Sequence, residues 1–187
     1  MGKTTRTFTS PEIDLLEPGD CLLYSSGGPL PWLIKIKTWS PVSHVEVYRG
    51  GAKSIAARKE GVRTYDLRRD GLFAILRPLD GPLDLTRSLA WFDEPFNQAT
   101  HSGVTGQRYD VWGLFRFFTI GKQSEDKQFC SEVATRFYRL AIAKDGAPFH
   151  PFATRWDADL VSPGMFLASD EFWTAWDVEK GWLAPNP

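Results

Sequence analysis

The 187-residue chain is long enough to bury one sizeable core without covalent staples, and its 22 basic and 23 acidic residues leave a formal net charge of -1. No long basic run favours a nucleic acid or an anionic membrane as partner. Two cysteines far apart and only three histidines give no disulfide framework, no zinc spacing and no multi-histidine metal site; the cysteine chemistry read below requires no metal or organic cofactor.

In chain order, the opening "MGKTTRTFTSPEIDLLEPGD" lacks the apolar stretch of a secretory signal, and Arg6 stands where a myristoylation signal needs Ser or Thr. No apolar run reaches the roughly 18 residues of a membrane span, so the expectation is a soluble protein, cytoplasmic as synthesised. "DCLLYSS" reads as a short apolar strand, with Asp20 capping the turn that leads into it. "PLPWLIKIKTWSP", residues 29–41, reads as a short helix or a loop with a helical turn. "SHVEVYRGG" alternates as a strand, "KSIAAR" and "GVRTYDL" are weaker strand candidates, and "LFAILRPL" is a strong one. "DLTRSLAWFDEPFNQAT" has helical apolar spacing interrupted by Pro95, and "YDVWGLFRFF" is a short aromatic segment. "CSEVATRFYRLAIAK" is the best helix, with Val133, Phe137, Leu140 and Ala141 on one stripe and "DG" as its stop. "SDEFWTAWDVEKG" reads as a final helix capped by Ser169. Strands followed by helices predict an α+β domain with an antiparallel sheet.

On the strand "SHVEVY", His44, Glu46 and Tyr48 share one face and the core-forming Val45 and Val47 the other. Cys130 stands at the start of the best helix, where the dipole and free N–H groups favour a thiolate. The same residue also fits a buried thiol acting as a small hydrophobe. Cysteine-nucleophile chemistry needs a thiolate, an imidazole to stabilise it and protonate the leaving group, and donors for the oxyanion. Cys130 and His44 are the residues able to supply the first two, and the Cys130 N–H part of the third. Cys21, the rival nucleophile, lies inside an apolar strand and reads as packing. His101 and His150 sit in loop-like contexts and read as surface or packing residues. The eight Trp and thirteen Phe, crowded in the second half, form either a bulky core or a groove for an apolar or sugar-bearing ligand.

These residues together resemble a family. "EPGDCLLY" followed by "SHVEVYRGG" is similar to the strand pair of the NlpC/P60 superfamily of papain-like cysteine hydrolases. "GQRYDVWG", residues 106–113, is similar to the Gly-x-x-Tyr-x-x-Trp-Gly before that family's catalytic cysteine, and "FCSEVATRF" to its cysteine-bearing helix start. Here the His strand precedes the Cys helix, as in the circularly permuted branch that includes YiiX/YaeF-like proteins and relatives of lecithin–retinol acyltransferase. The resemblance covers roughly residues 17–145 of a single domain spanning 1–187. Residues 146–187 are expected as a C-terminal helical extension, in which "LVSPGMFLASDEF" resembles the same group less specifically.

The resemblance implies a permuted papain-like fold, an antiparallel sheet packed against a Cys-bearing helix, and a Cys130–His44 catalytic pair. It gives Tyr109 a role in oxyanion binding or substrate placement, beside the alternative of a core tyrosine. Trp32 and Trp39 are candidates for one wall of a cleft, with Trp112 a further cleft candidate. One departure stands out. The family's third polar residue falls near Ala56, which cannot orient an imidazole. Glu46, where the family commonly has glycine, is the expected replacement, while Ser54, Arg58 and Glu60 lie nearby with less suitable chemistry or register. The function implied is a cysteine hydrolase whose leading substrate is a cell-wall (peptidoglycan) peptide, acting as amidase or endopeptidase. A product released by lysis, as from a phage, fits the absence of an export signal. Two alternatives stay open: an acyltransferase or thioesterase acting on lipid or acyl substrates, and a catalytically degenerate binding module. The sequence leaves oligomeric state open.

Overall fold

The computed structural model describes residues 10–97, 104–109, 127–149, 152, 157, 158 and 161–183. A short helix α1 (Ser10–Ile13) leads to strand β1 (Cys21–Tyr24), helix α2 (Pro29–Thr38) and strands β2 (His44–Gly50), β3 (Lys53–Arg58), β4 (Gly61–Asp66) and β5 (Leu72–Pro78). Helix α3 (Thr86–Asp93) ends just before Pro95, whose ring disfavours helical backbone in the residue preceding it. Short strands β6 (Arg108–Tyr109) and β7 (Lys127–Gln128) pair in parallel immediately before helix α4 (Cys130–Arg139). Helix α5 (Pro163–Leu167) and strands β8 (Phe172–Asp177) and β9 (Gly181–Trp182) close the described chain.

Among the described residues seven strands form one antiparallel sheet in the order β4-β3-β2-β1-β5-β8-β9. The fold is therefore α+β, as the strand and helix patterns predict. The four residues of β1 are all buried and alternate in neither hydrophobicity nor exposure, because both faces of the sheet are covered there. On one face Cys21, Leu23, Val45, Val47, Ile55 and Ala57 pack with Val133, Phe137 and Tyr138 of α4. On the other, Leu22, Tyr24, Tyr48 and Ile75 pack with Leu16 and Trp176.

The expected final helix over "SDEFWTAWDVEKG" is not formed. Its residues make β8 and β9, so the C-terminal region contributes two strands to the main sheet rather than a helical extension; among the described residues its one helix is α5. The cause is a bulge. Ile75 pairs with Trp176 but the adjacent Leu76 pairs with Thr174, leaving Ala175 as an extra residue. The extra residue turns Phe172 into one core and Ala175 and Trp176 into the other, which hides the period of two and imitates helical spacing.

Two close approaches set the edges of the site. Gly61 has φ +108, and a Cβ there would lie 2.8 Å from the Gln107 carbonyl oxygen. Gln107 also accepts the Val62 N–H at 2.9 Å, tying the strip that leads into β6 to the β3–β4 hairpin. A Cβ on Gly164 would lie 2.5 Å from Ser40 Cβ, so α5 sits directly against the turn that delivers the chain into β2.

Candidate active site

Cys130 is the first residue of α4, and its first intrahelical bond, Val133 N–H to the Phe129 carbonyl, leaves the earlier N–H groups of the turn without helical partners. Glu132 reaches back to the Phe129 N–H at 3.5 Å and pairs with Arg136 at 2.7 Å, which fixes the start of the helix. The Cys130 thiol is buried and meets the His44 imidazole, with the backbone N–H groups of Val45 and Ser131 also directed at it. Burial pushes the thiol up. The His44 charge and hydrogen bond, followed by the two backbone groups, outweigh that and hold it below its ordinary value.

His44 opens β2 and lies opposite Tyr24 of β1, their ring centroids 6.1 Å apart. Its Nε2 lies 2.9 Å from Glu46 Oε1, which leaves Nδ1 for the thiol. Burial lowers the imidazole pKa, but the Cys130 charge and hydrogen bond, then those of Glu46, raise it to about 9.

Glu46 is fully buried. Arg58 donates from Nε to Oε1 at 2.9 Å and from Nη2 to Oε2 at 2.8 Å, and Ser54 Oγ donates to Oε2 at 2.6 Å. Burial raises a carboxyl pKa; the bonds and charges of His44 and then Arg58 overcome it and bring Glu46 to about 2. The β2–β3 register explains the arrangement. Val47 pairs with Ile55 and Tyr48 with Ser54, so continuing the ladder sets Glu46 opposite Ala56 with Ser54 and Arg58 on either side. The small Ala56 side chain makes room for the carboxylate, and its two neighbours on the same face supply donors.

Of the site residues expected from sequence, the structure brings Cys130, His44 and Glu46 into one connected group. Ser54 and Arg58, set aside there as less suitable, are the residues that fix Glu46; counting across the two-glycine hairpin at Gly50 and Gly51 is the signal that identifies them. Glu60 is exposed beside Lys59, away from this group. Cys21 is fully buried in β1, its thiol pushed well up by burial. Asp20 accepts the Glu17 N–H at 2.9 Å and pairs with Arg77, consistent with its role in the turn. Tyr109 belongs to β6, where it pairs with Gln128, two residues before Cys130; its side chain lies outside the described residues, as do Trp112, His101 and His150. Trp32 and Trp39 are 61 % and 95 % exposed.

Among the described residues no group of three or more His, Cys, Asp or Glu side chains is placed to hold a metal ion, and no helix is long and apolar enough to cross a membrane. The chain matches no family model and no curated protein.

Proposed function

We propose that the chain is a cysteine hydrolase of the permuted NlpC/P60 type, cleaving an amide or ester with Cys130 as nucleophile, His44 as acid and base, and Glu46 as the residue that orients His44. The observation that carries this reading is the unbroken chain from the Cys130 thiol through His44 to a buried Glu46 that Arg58 and Ser54 hold in one orientation. A histidine packed for structure alone needs no thiol on one side and no fixed carboxylate on the other.

In the proposed reaction the Cys130 thiolate attacks the carbonyl carbon, forming a C–S bond and a tetrahedral oxyanion. The Cys130 N–H at the start of α4 faces this oxyanion, and the helix dipole favours its charge. Collapse breaks the bond to the amine or alcohol, which leaves with a proton from His44. A water molecule then gives a proton to His44 and attacks the thioester. The C–S bond breaks, releasing the acid and restoring thiolate and imidazolium. Glu46 keeps Nε2 engaged throughout, so the ring cannot flip away from the thiol. By the family resemblance, the leading substrate is a cell-wall peptide; discharge onto an alcohol or amine instead of water would make the same site an acyltransferase.

The test is peptide-resolved alkylation of Cys130 and Cys21 across pH in wild type and His44→Ala. Fast reaction of Cys130 well below pH 8, abolished in His44→Ala, is the expected result. Slow reaction of Cys130, no different from Cys21 in both proteins, would replace the enzyme reading with that of a binding module.

A further inference from the structure

Two arginines of the main sheet present the same edge of the guanidinium to a buried carboxylate. Arg58 bonds Glu46 through Nε and Nη2, and Arg77 of β5 bonds Asp20 through Nε and Nη2 at 2.8 and 2.9 Å. This edge carries two parallel donors whose spacing matches the two oxygens of a carboxylate. Arg68 is the exception. Its Nε and Nη2 are shielded from solvent, and among the described residues they have no hydrogen-bond partner. The acids nearest in sequence do not serve them, since Asp66 pairs with Lys53 and Asp70 is exposed. Donors that are charged, buried and unbonded are costly to keep.

Arg68 stands close to the reacting groups. It lies in the connection 67–71 between β4 and β5, and its guanidinium carbon is 4.1 Å from the centre of the Tyr24 ring. The Tyr24 hydroxyl donates to the Arg68 carbonyl at 3.0 Å, which ties the residue to that ring. The centre of the same ring is 6.1 Å from that of the His44 imidazole, so one aromatic side chain links the unbonded donors to His44. Glu46 shares this face of the sheet with Tyr24 and His44, and its oxygens are taken up by His44, Arg58 and Ser54.

We propose that Arg68 is a specificity residue of the hydrolase, whose Nε–Nη2 edge receives a carboxylate carried by the acyl portion of the substrate. That portion is the part that stays beside His44 through both steps of the reaction. The substrate class narrows accordingly to amides or esters of acids that bear a second carboxylate. Arg68 is half-buried, so its side chain reaches the surface and can turn that edge toward the incoming group. The inference rests on the reading of Cys130 as nucleophile, and the experiment separates the two.

The experiment measures acylation of Cys130 by the mono-p-nitrophenyl esters of glutaric, adipic and suberic acid, each against the same compound with its free carboxyl methylated, in wild type, Arg68→Met and Arg68→Lys. Met keeps an unbranched stem against Tyr24 and removes the donors, whereas Lys keeps the charge and removes the paired edge. Wild type is expected to prefer the free acid by about tenfold or more in at least one of the three pairs. The preference is expected to fall to near parity in Arg68→Met and to an intermediate value in Arg68→Lys. No preference in wild type, or an undiminished one in Arg68→Met, would overturn the inference and leave the cysteine chemistry standing. If no ester acylates Cys130, thermal melts with the three diacids against sodium chloride at equal ionic strength decide. A rise in Tm that Arg68→Met abolishes would then keep the carboxylate site and sink only the enzyme reading. No such rise would overturn both.

Discussion

Arg58 holds Glu46 through the two parallel nitrogens of its guanidinium, Nε and Nη2, at 2.9 and 2.8 Å. With the thiolate pair formed, the site contains two cations, His44 and Arg58, and two anions, Cys130 and Glu46. Such a balanced group is costly to break from one side, because the surviving partner stays buried. Arg58→Ala is expected to destabilise the protein by about 3–5 kcal/mol in urea titration. Arg58→Lys keeps the charge but not the paired geometry, and its loss is expected to be smaller.

Glu46→Gln keeps the volume and removes the charge. His44 then loses one of the influences that raise its pKa, so the value falls from about 9 toward the ordinary 6.5. Turnover, or Cys130 acylation by an activated ester, is expected to drop by about 10²–10⁴ with little change in substrate affinity. Full activity in this variant would remove Glu46 from the mechanism.

The same residue makes stability depend on acid. The folded pKa of Glu46 is about 2 against an ordinary 4.5, so its contribution is complete above pH 4.5 and is lost as pH falls through 2. That contribution is on the order of 3 kcal/mol. Urea midpoints measured from pH 5 down to pH 2 are expected to fall more gently in Glu46→Gln than in wild type.

The thiol pair has a second window. His44 is raised to about 9, so what it contributes is complete below pH 6.5 and disappears as pH rises through 9. Cys130 is held below its ordinary value by His44 and the backbone N–H groups, so the thiolate persists to lower pH than that of a free thiol. The two protons belong to the pair rather than to either residue. Alkylation of Cys130 is expected to continue below the pH at which a free thiol stops reacting and to change near pH 9, whereas Cys21 stays unreactive throughout.

Gly164→Ala tests the support behind His44. The added methyl group would meet Ser40 Cβ and push the turn that enters β2. A loss of about 1–3 kcal/mol is expected by thermal or urea melt, with slower Cys130 alkylation although no site residue is touched.

Strands β1 to β5 and helix α4 were legible in the sequence, because alternation, glycine turns and a helical stripe each act locally. Cys130 and His44 could be nominated from residue type and position, since a helix start and a strand face are also local features. What fixes Glu46 was not local. Arg58 and Ser54 act through the pairing of β2 with β3, which has to be counted across a hairpin before either becomes a candidate. The second core was equally hidden, because Trp176 reaches it only after the bulge at Ala175. Trp39 was legible only in part. Its place just before the His strand suggests a cleft wall, and nothing in the sequence foretells its left-handed backbone or its near-complete exposure.

The place of β8 in the sheet has a consequence for how the chain is made. β5 pairs with β1 on one side and with β8 on the other, so its second edge is covered only by residues close to the end of the described chain. The hairpins of β2, β3 and β4 close between near neighbours and are expected to form early; the β5–β8 ladder joins distant segments and is expected to form late. Until then "LFAILRP" is an open, apolar edge that invites pairing with another chain. A product cut off before Phe172 would keep Cys130, His44 and Glu46 and yet be prone to aggregate, so the last two strands act as the fold's guard against its own central sheet.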